Sequence, residues 1–393
     1  MSYVTVIDLS RNNLTGRIPP SLANCSMLEV LDLGNNNLFG TVPGSLGMLK
    51  YLKSLHLNDN HFSGDLPSSL RNLSRLETMD LGYNILSGII PTWFGEGFPF
   101  LRILILRSNA FSGELSLEFS KLGSLQVLDL ARNDFSGSIP GNLGDLKAIA
   151  QVYRKNKYLF YGDDKSNDGH YYEESIEVYM KDQMLKYTKT LSLVTSIDLS
   201  DNNFTGNIPN EITKLFGLVV LNLSRNHIAG RIPETMSNLL QLSSLDLSNN
   251  QLSGTIPSSL SSLSFLGFLD LSNNNLMGVI PYTGHMTTFD AIAFTGNPGL
   301  CGPPLPVKCL GDDDKKQGND DSNDEGLFDN WFYLSLGLGF ATGILVPYFI
   351  FTIKSSWGDV YFDFADQVIQ KLLRLTHKQG INNGQRRKIP RRQ

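Results

Sequence analysis

Ser244-Leu245-Asp246-Leu247-Ser248-Asn249-Asn250-Gln251-Leu252-Ser253-Gly254-Thr255-Ile256-Pro257 is the stretch that decides how this 393-residue chain folds. Its skeleton, L-x-x-L-x-L-x-x-N-x-L-x-G-x-I-P, recurs ten times. The asparagines that mark the copies are Asn12, Asn36, Asn60, Asn84, Asn109, Asn133, Asn202, Asn226, Asn250 and Asn274. Neighbouring copies stand 24 residues apart, with one spacing of 25 and one gap of 69 between Asn133 and Asn202. Each residue type has a physical task. L-x-x-L-x-L forms a short strand whose side chains alternate in and out, with the leucines turned inward. A buried Asn satisfies backbone groups where the chain leaves the strand, which an apolar residue cannot do. Gly254 and its equivalents permit a tight backbone turn. Pro257 and its equivalents fix φ and donate no hydrogen bond, so they start the opposite side of the coil.

Self-similarity at this period is the signature of a leucine-rich-repeat solenoid, with short parallel strands on one side and irregular or 3-10 segments on the other. A chain of this length usually splits into several compact cores, but an array escapes that limit because each unit packs only on its neighbours. The fifth repeat reads Gly113-Glu114-Leu115-Ser116 and lacks the proline, a tolerated irregularity. Cys25 is expected to fill a small buried slot. The net charge of −5 points away from nucleic acid as a general partner. Six scattered histidines, no paired carboxylates and no Cys/His metal spacing give no candidate catalytic residue, metal site or cofactor site. The expected mechanism is binding rather than catalysis.

The G-x-I-P segment resembles the plant extracellular subclass of leucine-rich repeats, found in receptor kinases, receptor-like proteins and polygalacturonase-inhibiting proteins. The resemblance implies a second sheet built by that segment and a superhelical twist. The repeats divide into residues 1–146 and 191–281, with an insert over 147–190. The insert holds Tyr153, Tyr158, Tyr161, Tyr171, Tyr172, Tyr179 and Tyr187, and Glu174-Ser175-Ile176-Glu177-Val178-Tyr179-Met180 alternates like a strand. Its expected place is over the concave face, where tyrosines offer rigid contact area with a polar tip. An island followed by four repeats resembles plant receptor-like proteins and several hormone receptor kinases. In those, the resemblance implies, the island and nearby repeats bind ligand and the last repeats dock a co-receptor kinase.

Strand positions that depart from the recurrent Asp-x-Ser pattern are the candidate contacts. Before the insert they are His56, Asp59, Tyr83, Ile105, Arg107 and Arg132, joined by Tyr171, Tyr172 and Tyr179 of the insert as ligand-binding candidates. Arg225 and Phe268, in the last repeats, are the candidates for co-receptor docking. Sequons at Asn13, Asn24, Asn72, Asn203 and Asn222 are candidate glycosylation sites, with Asn222 on the concave strand.

After Ile280-Pro281 the repeat is expected to end in a cap over 282–309, with Cys301 and Cys309 paired across a short loop in an oxidising compartment. N-P-G-L-C-G-P-P-L-x-x-x-C closely resembles the C-terminal cap of plant receptor-like proteins. An acidic spacer follows over 310–330, then Trp331–Ile353, 23 residues without a charge, enough to span a bilayer. The tail over 354–393 carries nine Lys/Arg against three Asp, which places it in the cytoplasm and the repeats outside, as a single-pass type I protein of the plasma membrane. Ser335, Gly339 and Gly343 recur every four residues and mark a helix-pairing face. The resemblance implies an adaptor kinase as its partner there.

Met1-Ser2-Tyr3-Val4 opens directly into a repeat, with no visible secretory signal. Six repeats before the island are fewer than the family usually carries, so the resemblance implies a receptor-like protein shortened at its N-terminus. The chain is thus identified as similar to kinase-less plant receptors, including fungal-elicitor and disease-resistance receptor-like proteins. It is expected to bind an extracellular peptide or pathogen-derived ligand and to signal through partner kinases in defence. The alternatives are a non-functional or decoy fragment and an enzyme inhibitor of the polygalacturonase-inhibitor kind.

Overall fold

The computed structural model describes residues 3–152, 159–161, 172–181, 183–188, 190 and 193–309, all within the compact unit Met1–Asp313. Ten three-residue strands form one parallel sheet, from Val6–Asp8 and Val30–Asp32 through Val127–Asp129 and Ser196–Asp198 to Phe268–Asp270. The central residue of each strand points into the solenoid; Leu31, Leu55, Met79, Leu104, Leu128, Ile197, Leu221 and Leu245 are fully buried. The first and third residues face the concave side. The G-x-I-P segment adds a second set of short parallel strands. The segment after most of the prolines closes one 3-10 turn, such as Gly44–Met48 after Pro43, while Phe94–Gly97 after Pro91 is an α-helical turn. In the fifth repeat Ser116 stands where proline is missing, and its hydroxyl accepts the Glu118 N–H at 3.2 Å, so a side-chain cap replaces the ring.

The asparagines work as a ladder. Asn84 Nδ2 donates to Leu57 O at 3.0 Å, Leu81 O at 3.1 Å and Gly82 O at 3.0 Å, and its Oδ1 accepts Phe62 N–H at 2.9 Å. One side chain therefore satisfies four buried backbone groups in two repeats. The ladder runs on beneath the insert. Asn202 Nδ2 donates to Leu130 O at 3.0 Å, and its Oδ1 accepts Phe135 N–H at 3.0 Å. Strand Val127–Asp129 pairs directly with Ser196–Asp198, and the Phe135 and Phe204 rings stack at 6.3 Å as Phe111 and Phe135 do at 6.5 Å. Forty-odd extra residues leave the coil without a fault in its register.

Three sequence expectations change. The strands stop at their third residue, so Asp59, Tyr83, Arg132 and Arg225 lie beyond them, in a turn at φ of about 54–55°. Ten residues of this column share the left-handed conformation; five are Asn or Asp, three are arginines, and the other two are Tyr83 and Ser108. Next, the repeat does not end at Pro281. Asn297 Nδ2 donates to Leu271 O at 2.9 Å and Phe294 O at 3.0 Å, its Oδ1 accepts Leu276 N–H at 3.0 Å, and Gly299–Cys301 pairs with Asn275–Val279. The cap is an eleventh rung closed by the Cys301–Cys309 disulfide. Finally, Lys147–Ala150 belongs to the solenoid rather than the insert: it is a helical turn whose Ile149 is fully buried in the core. Cys25 is buried and free.

Among the described residues no helix is long and apolar enough to cross a membrane. The expected span 331–353, with Ser335, Gly339 and Gly343, lies outside the described residues, as do Tyr171, the acidic spacer and the tail.

The ladder carries a direct test. Asn202→Leu strands Leu130 O, Leu199 O, Ser200 O and Phe135 N–H without a partner. The expected loss is about 3–5 kcal/mol in urea unfolding. A loss below ~1 kcal/mol contradicts the ladder's role.

Candidate functional site

The insert seats two antiparallel strand pairs on the concave sheet. Phe160–Tyr161 pairs with Tyr172–Glu173, and Ile176–Met180 pairs with Gln183–Tyr187 as a hairpin. The alternation of Ile176-Glu177-Val178-Tyr179-Met180 turns Ile176, Val178 and Met180 downward, where all three are buried. Ile176 and Val178 join Leu159, Tyr161 and Val194 against Val30, Ile103, Ile105 and Val127, the apolar outward residues of the repeat strands. We call the seated insert the strap.

Two polar centres pin it. In the first, Glu174 is fully buried. Ser54 Oγ donates to its Oε2 at 2.7 Å, and His56 Nε2 lies 2.8 Å from its Oε1. His56 Nδ1 stands 3.8 Å from Asp80 Oδ2. Burial alone would lower the His56 pKa; the Glu174 carboxylate and then Asp80 outweigh it and hold the imidazole well above its usual range. Burial alone would raise Glu174, but His56 and then Ser54 hold it below the usual carboxylate range. Nearby, the Tyr172 hydroxyl donates to Asp32 Oδ2 at 3.0 Å.

The second centre is Arg107. Its Nε donates to Asp129 Oδ2 at 2.7 Å, and Nη2 donates to Asp198 Oδ2. Its guanidinium lies 5.4 Å from the centre of the Tyr179 ring of the strap. Burial, then the Asp129 charge, push Asp198 up to about 6 against the pull of Arg107. Asp129 and Asp198 stand 69 residues apart yet occupy adjacent strands, because the insert leaves the register intact.

Between strap and sheet lies a cavity of about 450 Å³. Its floor is formed by Asp8, Asp32, His56, Asp80, Ile105, Arg107 and Asp129, its rim includes Arg11, Asn35 and Tyr83, and its wall is Tyr172, Glu173, Ser175, Ile176, Glu177, Met184 and Lys186 of the strap. Ser54, His56, Glu174 and Asp80 are residue types found in hydrolases. Here Ser54 donates to the carboxylate rather than to His56, and Ser54 and Glu174 are buried, while His56 and Asp80 line the cavity. That arrangement offers no activated nucleophile. No group of three or more His, Cys, Asp or Glu among the described residues is placed to hold a metal.

The structure brings His56, Tyr83, Ile105, Arg107 and Tyr172 together around this cavity. His56, Ile105 and Arg107 are buried by the strap rather than open to solvent. Tyr179 stacks on Arg107. Asp59 is exposed outside the cavity, and Arg132 is exposed with Asp201 at 3.7 Å. Arg225 lies exposed in a later turn. Phe268, half-buried on the last strand, lines a separate groove of about 270 Å³ with Thr288, Phe289 and Ile292. Asn13, Asn24, Asn72 and Asn203 are exposed. Asn222 is corrected as a glycan acceptor: it is buried, and its Oδ1 accepts from Ser224 N–H and Oγ. Sequence reasoning missed Glu174, whose signal was an acid at the head of an alternating strand, and the Asp129 and Asp198 partners of Arg107.

Arg107→Met leaves Asp129 and Asp198 buried and facing each other. We expect a loss of about 3–5 kcal/mol at pH 7. Asp198 already has a raised pKa, so the folded form takes up a proton more readily than the unfolded chain. The variant should therefore regain stability as pH falls through that raised value and lose it as pH rises. Urea unfolding at pH 5 and pH 8 checks both sign and size.

Family profiles described as leucine rich repeat match residues 3–25, 27–49, 50–111, 124–146, 193–215, 217–239, 241–263 and 265–284, together more than half of the chain. No curated protein matches the chain. Among solved structures, the ectodomain of the Arabidopsis thaliana receptor kinase GASSHO1/SCHENGEN3, in complex with CASPARIAN STRIP INTEGRITY FACTOR 2, is 30% identical at TM-score 0.59, covering 78% of this chain and 34% of that one. A plant ice-binding protein is 28% identical at TM-score 0.59, covering 78% of this chain and 84% of that one. The Arabidopsis receptor kinase HAESA, in complex with the peptide hormone IDA and the co-receptor SERK1, is 28% identical at TM-score 0.54, covering 78% of this chain and 51% of that one. The chain thus spans a third to a half of the two receptor ectodomains. With the repeat ladder and the matched profiles in agreement, the chain belongs to the leucine-rich-repeat proteins.

Proposed function

We propose that the chain is the ligand-binding part of a cell-surface receptor-like protein that captures an extracellular peptide or pathogen-derived ligand and signals through partner receptor kinases in plant defence. The observation that carries this reading is the cleft of about 450 Å³ between the strap and the first repeats. It is lined mostly by polar and charged groups and is bounded by two elements that sequence separates widely. HAESA, in complex with the peptide hormone IDA, supports the peptide class of ligand. On this reading the ligand meets Tyr83, Tyr172 and the cleft floor, a co-receptor docks on the last repeats near Arg225 and Phe268, and 331–353 anchors the chain in the plasma membrane. Ser335, Gly339 and Gly343 then pair with an adaptor kinase, and Asn13, Asn24, Asn72 and Asn203 carry glycans.

The coverage of the ice-binding protein favours a second reading, an ice-binding surface. One column of the second sheet, exposed or half-buried along its length, argues against it. Thr15, Ser63, Ser87, Ser112 and Ser136 share that column with Phe39 and Met277, so no uniform hydroxyl face results.

Two measurements test the proposal. The full chain, panned against a library of secreted peptides, should enrich a set that a variant with residues 153–189 replaced by a Gly-Ser linker no longer captures. Equal capture by both proteins would place the ligand elsewhere. Gly339→Leu with Gly343→Leu should abolish kinase co-immunoprecipitation from plant membranes; undiminished association would remove the helix-pairing step.

A further inference from the structure

The strap touches the repeats through a pair whose members titrate on either side of mild acidity. His56 comes from the strand Ser54–His56 of the third repeat, and Glu174 from the strap, 118 residues away. Their side chains are 5% and 0% exposed. Every element packed around His56 supplies a group that faces it. The strap gives Glu174 at 2.8 Å and the Tyr172 ring, whose centroid lies 6.3 Å from that of the imidazole. The next strand gives Asp80, and the preceding strand gives Asp32, which is held by Tyr172. Around Glu174 stand Ser54 as donor and Arg102, which it influences through space. Both Glu174 oxygens have partners: Oε2 takes Ser54, and Oε1 takes His56 and the Ser175 N–H. A buried charge that loses its partner is costly, so this contact holds the strap down only while both members are ionised.

We infer that Glu174 and His56 are the positioning pair that seats the strap, and that the cleft is walled at mildly acidic pH and loosens when either member loses its charge. This rests on the reading of the cleft as the ligand site, but the test needs no ligand. The seated His56 holds its proton above the ordinary 6.5. Its contribution is therefore fully present below that value and lost as pH rises through the raised one. The seated Glu174 stays ionised below the ordinary 4.5. Its contribution is present above that value and lost as pH falls through the lowered one. The two limits leave a window between about 4.5 and 6.5 in which the strap is held most firmly. Above it, the seating equilibrium should weaken by roughly tenfold per pH unit until the raised His56 value is reached. Arg107 stays charged throughout and keeps its contact with Tyr179, so the strands nearest Glu174 loosen first.

Hydrogen exchange on the full chain tests this, with amide rates converted to protection factors so that intrinsic pH dependence drops out. The Ile176–Met180 amides should be most protected between pH 5 and 6 and lose about tenfold per unit above 6.5, while Leu104 and Leu128 in the repeat strands keep theirs. His56→Gln with Glu174→Gln retains a neutral hydrogen-bonding pair; its strap protection should be the same at pH 5.5 and pH 8.5. Strap protection that is flat with pH in the unmodified chain would overturn the inference. So would a Gln pair that follows the same pH profile as the native pair. If the double variant fails to fold, which Leu104 and Leu128 would report, the native profile alone decides. A failed peptide screen leaves this result standing, and a flat pH profile leaves peptide capture standing.

Discussion

A buried backbone group must find a hydrogen-bond partner, and this solenoid meets that requirement with one asparagine per turn. The Asn84 amide serves carbonyls in its own repeat and the one before, and Asn202 does the same across the gap in the sequence. Because each asparagine binds two turns together, it sets the spacing of the coil as well as satisfying it. Leucines then fill the interior that this spacing leaves, and the phenylalanine stack of Phe111, Phe135 and Phe204 fixes the flank. The insertion between the sixth and seventh repeats is tolerated because it leaves from the end of one complete turn and returns at the start of the next.

A docked insert needs a surface that an ordinary repeat does not offer. Most outward strand positions here are Asp or small residues, suited to water. Beneath the strap they become Val30, Ile103, Ile105 and Val127, and the polar exception His56, with Arg107 just beyond its strand, is met by counter-charges. Apolar burial of a few such side chains supplies roughly 1.5–3 kcal/mol each when complete. The charged centres add direction: a shifted strap would leave Glu174 or His56 buried alone. The cavity is what remains where the strap arches away from the first repeats, with Asp8 and Asp32 below and Glu173 and Glu177 beside it.

The ladder was legible because its period is short and each copy repeats the same local chemistry. Asn297 escaped because its turn lacks the leucines, although it stands 23 residues after Asn274. Asp59, Tyr83, Arg132 and Arg225 read as strand positions because side-chain alternation says nothing about where a strand stops; each strand ends three residues before them, and they sit in the left-handed turn. His56, Ile105 and Arg107 stood out as departures from a repeated pattern, which marked them as special without saying for what. Their partners Glu174, Asp129 and Asp198 could not be read, since the pairing depends on where a long insert returns in space. A departure from a repeat is informative about position; its chemistry waits on the neighbour that the fold supplies.

The central claim is that the insert is a seated wall on the concave sheet. A spin-label distance measurement between Gln183 on the hairpin and Lys50 on the outer side of the second repeat tests it most directly, since both positions are exposed and Cys25, the free cysteine among the described residues, is buried. At pH 5.5 the account predicts one narrow distance distribution. A broad distribution, with the repeats still folded, would contradict it.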